Sequence, residues 1–277
     1  MRITLDIRKS VEQNAADYFE RAKKAKKKAE GARKAVLLAQ ERLRVLEEQN
    51  ALGVQQAVDD ALVADAARRA KAARKREWYE KLRWFQSSDG FLCIGGRDAS
   101  TNELVVKKHA DAGDVVFHTD MAGSPFVVVK AGGKEVPQST LAEAAQFCGV
   151  YCRAWKLGMA AIEVFYVEPS QLSKEPNPGE YLPKGAFMVR GSVKYLNPQL
   201  EICIGRLPDG RVMAASKTAV VHHCGRGYMV IQGNDKASDV GKRLAKLLDA
   251  DLDDIIAVLP PGGVKLGREA TPERRPA

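Results

Sequence analysis

His118 and Asp120 stand two residues apart at the end of the apolar run Val115-Val116-Phe117, so on an extended strand both side chains leave by the same face. An imidazole beside a carboxylate can act as a base, a metal ligand or a phosphate donor. No third ligand lies at a helpful spacing, which favours a hydrogen-bonded structural pair over a metal site and implies neither metal nor cofactor. His222-His223-Cys224 invites a metal reading too. That stretch reads as a strand, on which neighbouring side chains point to opposite faces, and we discount it. Cys148 and Cys152, four apart on a predicted helix, read as small apolar packing residues.

The densest polar stretch runs from Ser87 to Glu103. Asp89-Gly90 signals a turn, Phe91 to Ile94 a strand, and Gly95-Gly96 permits a close backbone approach. Arg97 then stands at the strand end, before a helix in which Ser100 and Glu103 have capping-box spacing. Helix N-termini attract phosphate, and a guanidinium grips it with two parallel hydrogen bonds. The competing reading is that Arg97 and Asp98 tie a turn together. A second loop, Gly179 to Gly191, combines Tyr181 and Phe187 with Lys184 and Arg190. Stacking on exposed bases, with phosphate contacts from the two cations, suits single-stranded or looped RNA. Aromatics at turns more often anchor a core, and the residues alone favour that reading.

These residues need a scaffold. From Val11, small or apolar residues recur at 3-4 spacing through Ala15, Tyr18, Ala22, Ala25, Ala29, Ala32, Val36, Ala39, Leu43 and Leu46 to Asn50, a heptad seam. Asn50-Ala51-Leu52-Gly53 predicts a stop, and a second helix follows from Val54 through Val58, Leu62, Ala66, Ala70 and Ala73. Residues 1–77 therefore read as an antiparallel coiled-coil hairpin. The composition changes at Trp78-Tyr79-Glu80-Lys81-Leu82-Arg83-Trp84-Phe85. Beyond it, strands are predicted at 91–94, 115–118, 126–130, 161–167, 200–205, 212–216 and 228–232, with helices at 100–109, 137–156 and 238–249. This order argues for an α+β class with a compact mixed sheet over 78–198. An α+β extension packs on it over 199–259, and a flexible tail, opened by Pro260-Pro261-Gly262-Gly263, covers 260–277.

Composition narrows the function. With 45% hydrophobic and 29% charged residues over 277, the chain can bury a core. Its five cysteines, an odd number without a CxxC pair, exclude a disulfide framework or zinc ribbon and suggest a reducing compartment, the cytoplasm. No apolar run approaches the roughly 20 residues of a membrane span, and no membrane partner is expected. The net charge of +9 is uneven: residues 1–85 hold 21 Lys and Arg against 13 Asp and Glu, the rest 23 against 22. A polyanion such as RNA is attracted mainly by the N-terminal element, although a merely soluble helix carries such charge too. An RNA-processing or RNA-modifying enzyme using His118 and Asp120, or a coiled-coil assembly protein, are the alternatives to an RNA-binding adaptor.

Trp84-Phe85, Ser87-Ser88-Asp89-Gly90, Gly95-Gly96-Arg97-Asp98-Ala99, Asn102-Glu103, His118-Thr119-Asp120 and Gly179-Glu180-Tyr181-Leu182 together resemble the NFACT-R domain, the RNA-binding module of the NFACT family of ribosome quality control proteins. Leu5 to Ala15 resembles the opening of that family's coiled coil, and the likeness extends from Thr4 to about Leu196. It implies binding to tRNA, ribosomal RNA and the large ribosomal subunit on stalled translation, without catalysis. The RNA contacts it suggests are Arg97, Asp98, Asn102, Lys107, His118, Asp120, Lys184 and Arg190, with Lys24, Lys26, Lys27 and Lys28 on the arm. Full-length members also carry an NFACT-N domain, tied to C-terminal tailing of the stalled chain. This chain is read as lacking it, hence as unable to tail alone and as suited to a separate NFACT-N-type partner.

Overall fold

The computed structural model describes residues 4–73, 76–179 and 181–272, with side chains in the first stretch described at 4–34, 36–42 and 44. The chain divides into two compact units, Met1–Lys75 and Arg76–Ala277.

The first unit is built on one helix, α1 (Val11–Ala73), of 63 residues, about 95 Å at 1.5 Å per residue. The expected hairpin is not what forms: the helix continues through Asn50-Ala51-Leu52-Gly53. Those four residues contain no proline, and a glycine inside a helix costs only about 1 kcal/mol against alanine, less than the alanine-rich flanks recover. The seam positions Leu43, Leu46 and Asn50, and those from Val54 to Ala73, lie outside the described side chains. The start of α1 explains the order of residues in the Leu5–Ala15 motif. Gln13 N–H donates to Ser10 Oγ at 3.2 Å and Ser10 N–H to Gln13 Oε1 at 3.0 Å, a reciprocal cap. Asn14, one of the few buried residues here, accepts from Asp6 N–H at 2.8 Å and donates to the Asp6, Lys9 and Ser10 carbonyls. The leader is thereby latched onto the first turn.

The second unit opens with a short 3-10 helix, Trp78–Lys81. Then come β1 (Arg83–Gln86), β2 (Leu92–Gly95), α2 (Ala99–His109), β3 (Val115–His118), β4 (Val127–Val129), α3 (Gln138–Val150), α4 (Arg153–Lys156), β5 (Val164–Val167), β6 (Leu172–Ser173), β7 (Met188–Val189) and β8 (Lys194–Leu196). The chain continues through β9 (Glu201–Arg206), β10 (Val212–Ala215), α5 (Lys217–Cys224), β11 (Gly227–Asp235), α6 (Ala237–Leu248), α7 (Leu252–Val258) and β12 (Val264–Ala270). Six strands form one sheet in the order β1-β2-β4-β3-β5-β8, four form another in the order β10-β9-β11-β12, and β6-β7 make a ribbon.

The α+β class holds, but the sheets are antiparallel rather than mixed. β2 and β3 run the same way with α2 crossing between them, yet β4 inserts between the two and pairs with both. A βαβ-like order in sequence thus yields no parallel neighbours. Ile94, Val116, Phe126, Val128 and Phe165 pack on one face of the six-stranded sheet with Val105 of α2. Phe85, Cys93, Phe117, Val127 and Val129 pack on the other, with α3 and with Ile202, Ile204, Met213 and Val230 of the second sheet. Covering both faces is why these strands read as nearly continuous apolar runs.

Three further differences have local causes. The predicted helix 137–156 breaks at Tyr151, and Cys152 caps α4 through its Sγ, 3.3 Å from Ala154 N–H. His222 and His223 lie on α5, not on a strand: Ser216 caps that helix at Ala219 N–H, and Gly225 ends it at φ 74°. The segment after Pro260, expected as a flexible tail, supplies β12, paired to β11; only 273–277 of it lie outside the described residues. Among the described residues, no helix is long and apolar enough to cross a membrane.

Candidate nucleic-acid interface

The predicted contacts of the second unit gather where β2 hands over to α2. Gly96 has no room for a side chain: a Cβ there would lie 2.0 Å from Asn102 Oδ1. Asn102, buried, accepts from Phe126 N–H at 3.0 Å and donates to the Ser124 carbonyl at 3.1 Å, clamping α2 to the β3–β4 connection. The helix cap is Asp98, not Ser100: its Oδ1 accepts from Thr101 N–H at 2.8 Å, and Thr101 Oγ1 accepts from Asp98 N–H at 2.9 Å. Those bonds from Thr101 hold the Asp98 carboxyl below its ordinary pKa.

Arg97, although exposed, is a tie. Its Nη1 donates to the Ala257 carbonyl of α7 at 3.3 Å and its Nη2 to the Leu82 carbonyl at 3.2 Å. It thereby joins the strand end to an element 160 residues on. Its charge bears on Arg83, whose guanidinium lies 4.0 Å over the Tyr151 ring and whose pKa is pulled down chiefly by burial. Burial raises Tyr151 to about 12.

The His118 ring stacks on Phe126 at 3.8 Å with 3° between planes, and its Nδ1–H donates to the Pro125 carbonyl at 3.0 Å. The imidazole's bond thus goes to Pro125, with Asp120 exposed nearby. Burial lowers the His118 pKa, opposed by Pro125 and then Asp120, so the ring is neutral near pH 7. A neutral, stacked imidazole with one nitrogen committed holds the loop in shape; it offers no cation to a phosphate. Among the described residues no group of three His, Cys, Asp or Glu is placed to hold a metal.

The second loop docks on the same place. Gly185, at φ 83°, would place a Cβ 2.6 Å from Ala99 Cα, so only glycine lets the loop reach the start of α2. Lys184 is thereby set near enough to Asp98 to influence its carboxyl. Phe187 meets Phe126 edge-on at 5.2 Å, and Lys174 lies 4.4 Å over Phe187 while donating to the Ala186 carbonyl. Glu103 draws Lys107 to 2.6 Å and Lys174 to 3.6 Å. Arg190 is exposed and donates to the Glu175 carbonyl at 3.3 Å. Tyr181 is 88% exposed, while Glu180 of the same motif lies outside the described residues. Lys174 was not singled out in the sequence; it sits beside a two-residue strand, too short to leave a pattern. Lys24, Lys26, Lys27 and Lys28 belong to the first unit and are exposed on α1.

A clamped helix start, a basic rim and an exposed tyrosine form a surface able to hold phosphates and stack bases, and one of the two family models that match the chain falls on it; the other falls on the first unit. Residues 81–191 match the NFACT protein RNA binding domain, and residues 1–65 the NFACT N-terminal and middle domains. These matches support the NFACT family. The chain is 40% identical over 185 residues to the archaeal Rqc2 homolog aRqcH of Methanocaldococcus jannaschii, an alignment covering 64% of this chain and 28% of that one. It is 38% identical over 113 residues to ribosome quality control complex subunit NEMF of Homo sapiens, covering 40% and 10%. For ribosome quality control complex subunit 2 of Schizosaccharomyces pombe the figures are 34% over 118 residues, 42% and 12%. The chain thus spans under a third of the length of each of these relatives. The match over residues 1–65 corrects the expectation that the NFACT-N part is missing. That family model describes N-terminal and middle domains together, and its match takes in most of the helix Val11–Ala73, which was read as coiled coil alone. The inferences built on the missing part, inability to tail and a separate NFACT-N partner chain, lose their premise.

Proposed function

We propose that this chain binds RNA in ribosome-associated quality control of stalled translation, contacting tRNA and the RNA of the large ribosomal subunit in the cytoplasm, by binding rather than catalysis. The observation that carries this reading is the match of residues 81–191 to the NFACT protein RNA binding domain. The likeness to ribosome quality control complex subunits supplies the setting. In this reading Lys184, Lys107 and Arg190 contact phosphates, while Arg97, Asp98, Asn102 and His118 keep the rim in shape. The arm lysines Lys24, Lys26, Lys27 and Lys28 add attraction without sequence preference.

The test is co-sedimentation of the purified chain with large ribosomal subunits, with and without stalled peptidyl-tRNA, alongside binding of free tRNA and of an unstructured RNA of equal length. Enrichment on stalled particles, and tRNA preferred to the unstructured strand, is expected. Absence of binding to subunits and tRNA alike would overturn the reading. Turnover of an RNA substrate that disappears on His118→Ala would replace it with the enzymatic one.

A further inference from the structure

Trp78 keeps 47% of its surface exposed, although the unit it opens buries Trp155 almost completely and covers the Trp84 ring with Arg211, 4.8 Å away. Its exposure is not looseness. The 3-10 helix is fixed by a reciprocal bond pattern between Glu77 and Glu80, with Glu77 N–H donating to Glu80 Oε1 at 3.0 Å. Tyr79 braces the indole at right angles, ring centres 5.7 Å apart. The His109 ring, at the last position of α2, stacks on it at 4.3 Å with 20° between planes. Burial is the first cause that lowers the His109 pKa, followed by Lys130, so the imidazole in the stack is neutral near pH 7. Exposed Lys81 and Lys108 stand on the same two elements.

A rigid, half-exposed indole already stacked on a flat ring, with exposed lysines on the two elements that carry the stack and the neighbouring Glu77 and Glu80 engaged in capping the turn, is suited to a planar partner that carries negative charge on a flexible backbone. We propose that Trp78, backed by His109, is a seat for one unpaired nucleobase of single-stranded RNA, with Lys81 and Lys108 receiving the adjacent phosphates. Charge favours this occupant over an apolar peptide, which would gain nothing from the lysines. The inference rests on the RNA-binding reading but uses a surface apart from the rim around Lys184. Stacking of a base on an aromatic side chain is sequence-tolerant, so the seat takes any base.

The experiment uses the full chain, a short oligouridylate and an abasic strand of the same length, followed by tryptophan fluorescence and by binding. Of the three tryptophans, Trp78 is the exposed one, Trp155 being buried and Trp84 half-buried under Arg211, so oligouridylate should quench emission and the abasic strand should not. Trp78→Ala should weaken oligouridylate binding by roughly 5- to 150-fold, leave abasic binding unchanged and abolish the quench. Trp78→Phe should recover most of the affinity with an unchanged melting curve. Oligouridylate bound by the wild type without quenching, or bound equally well by a folded Trp78→Ala, would overturn the seat alone. Failure of the wild type to bind tRNA and both strands would overturn the RNA-binding reading itself.

Discussion

Glycine marks the difference between the two units. Gly31 lies inside α1, and a Cβ added there meets nothing within 4 Å; Gly96 lies at the end of β2, and the same atom would lie 2.0 Å from Asn102 Oδ1. The helical unit is held by local bonds that repeat along its length, so its positions are nearly interchangeable. The compact unit is held by contacts between residues far apart in sequence, so single positions are irreplaceable. For function, the consequence is that charge on α1 acts collectively, whereas the rim at the start of α2 depends on individual atoms.

Gly96→Ala should have the largest effect. Overpacking typically costs about 1 to 3 kcal/mol, and here the obstructing oxygen belongs to the buried clamp, so displacing it also strands Phe126 N–H and the Ser124 carbonyl. A loss of about 3 kcal/mol or more, read from chemical denaturation, is expected. Gly31→Ala should shift stability the other way, by less than about 1 kcal/mol. Losses of similar size at the two sites would break the comparison.

Asn14→Ala comes next, because at Asn14, the buried residue among those described in the helical unit, that unit behaves like the compact one. It removes the buried part of the latch between leader and helix, the bonds to three carbonyls, and leaves the exposed bonds of Tyr18 to Thr4. A local loss of about 1 to 2 kcal/mol is expected, by analogy with a lost cap. Hydrogen exchange should detect it in residues 4–18 and leave the second unit unchanged.

Acidification sharpens the contrast further. His118 has a pKa held below its ordinary 6.5 by burial, so the unfolded chain binds the proton more readily than the folded one. Stability is therefore complete above pH 6.5 and lost as pH falls below it. His109 contributes in the same direction. Melting temperature should drop between pH 7 and 5, and His118→Gln should reduce that drop. A titration of the His118 ring centred above 6.5 would refute the assignment.

What was legible in the sequence divides along the same line. Val115–His118 is readable as a strand because β-branched and aromatic side chains cluster there, and the start of α1 because the 3-4 spacing begins at Val11. α5 was hidden, since Thr-Ala-Val-Val-His-His-Cys carries a strand-like composition and only Ser216 and Gly225 mark its ends. The end of α1 was misread because a glycine turn and a glycine in a long helix look alike when no proline decides between them. At the candidate site, the residues around Arg97 and Asp98 stood out, but not their roles. Arg97 answers to carbonyls at Leu82 and Ala257, and His118 to Pro125 and Phe126, partners that no spacing rule connects.

The smallest expected effect lies in a slope rather than a midpoint. Six Lys and Arg occupy residues 21–28, exposed on a single helix. A phosphate neutralised by any one of them releases counterions, so log affinity falls linearly with log salt. Lys26→Ala/Lys27→Ala should lower the magnitude of that slope by roughly 2 or less, equally for tRNA and for an unstructured RNA of the same length. Lys184 stands elsewhere, fixed beside Asp98 by Gly185 packed on Ala99. Lys184→Ala should weaken tRNA more than the unstructured strand while lowering the slope by roughly 1 or less. A double variant on α1 that discriminates between the two RNAs, or a Lys184 variant that does not, would show that selectivity resides in the helix and reverse the assignment of roles.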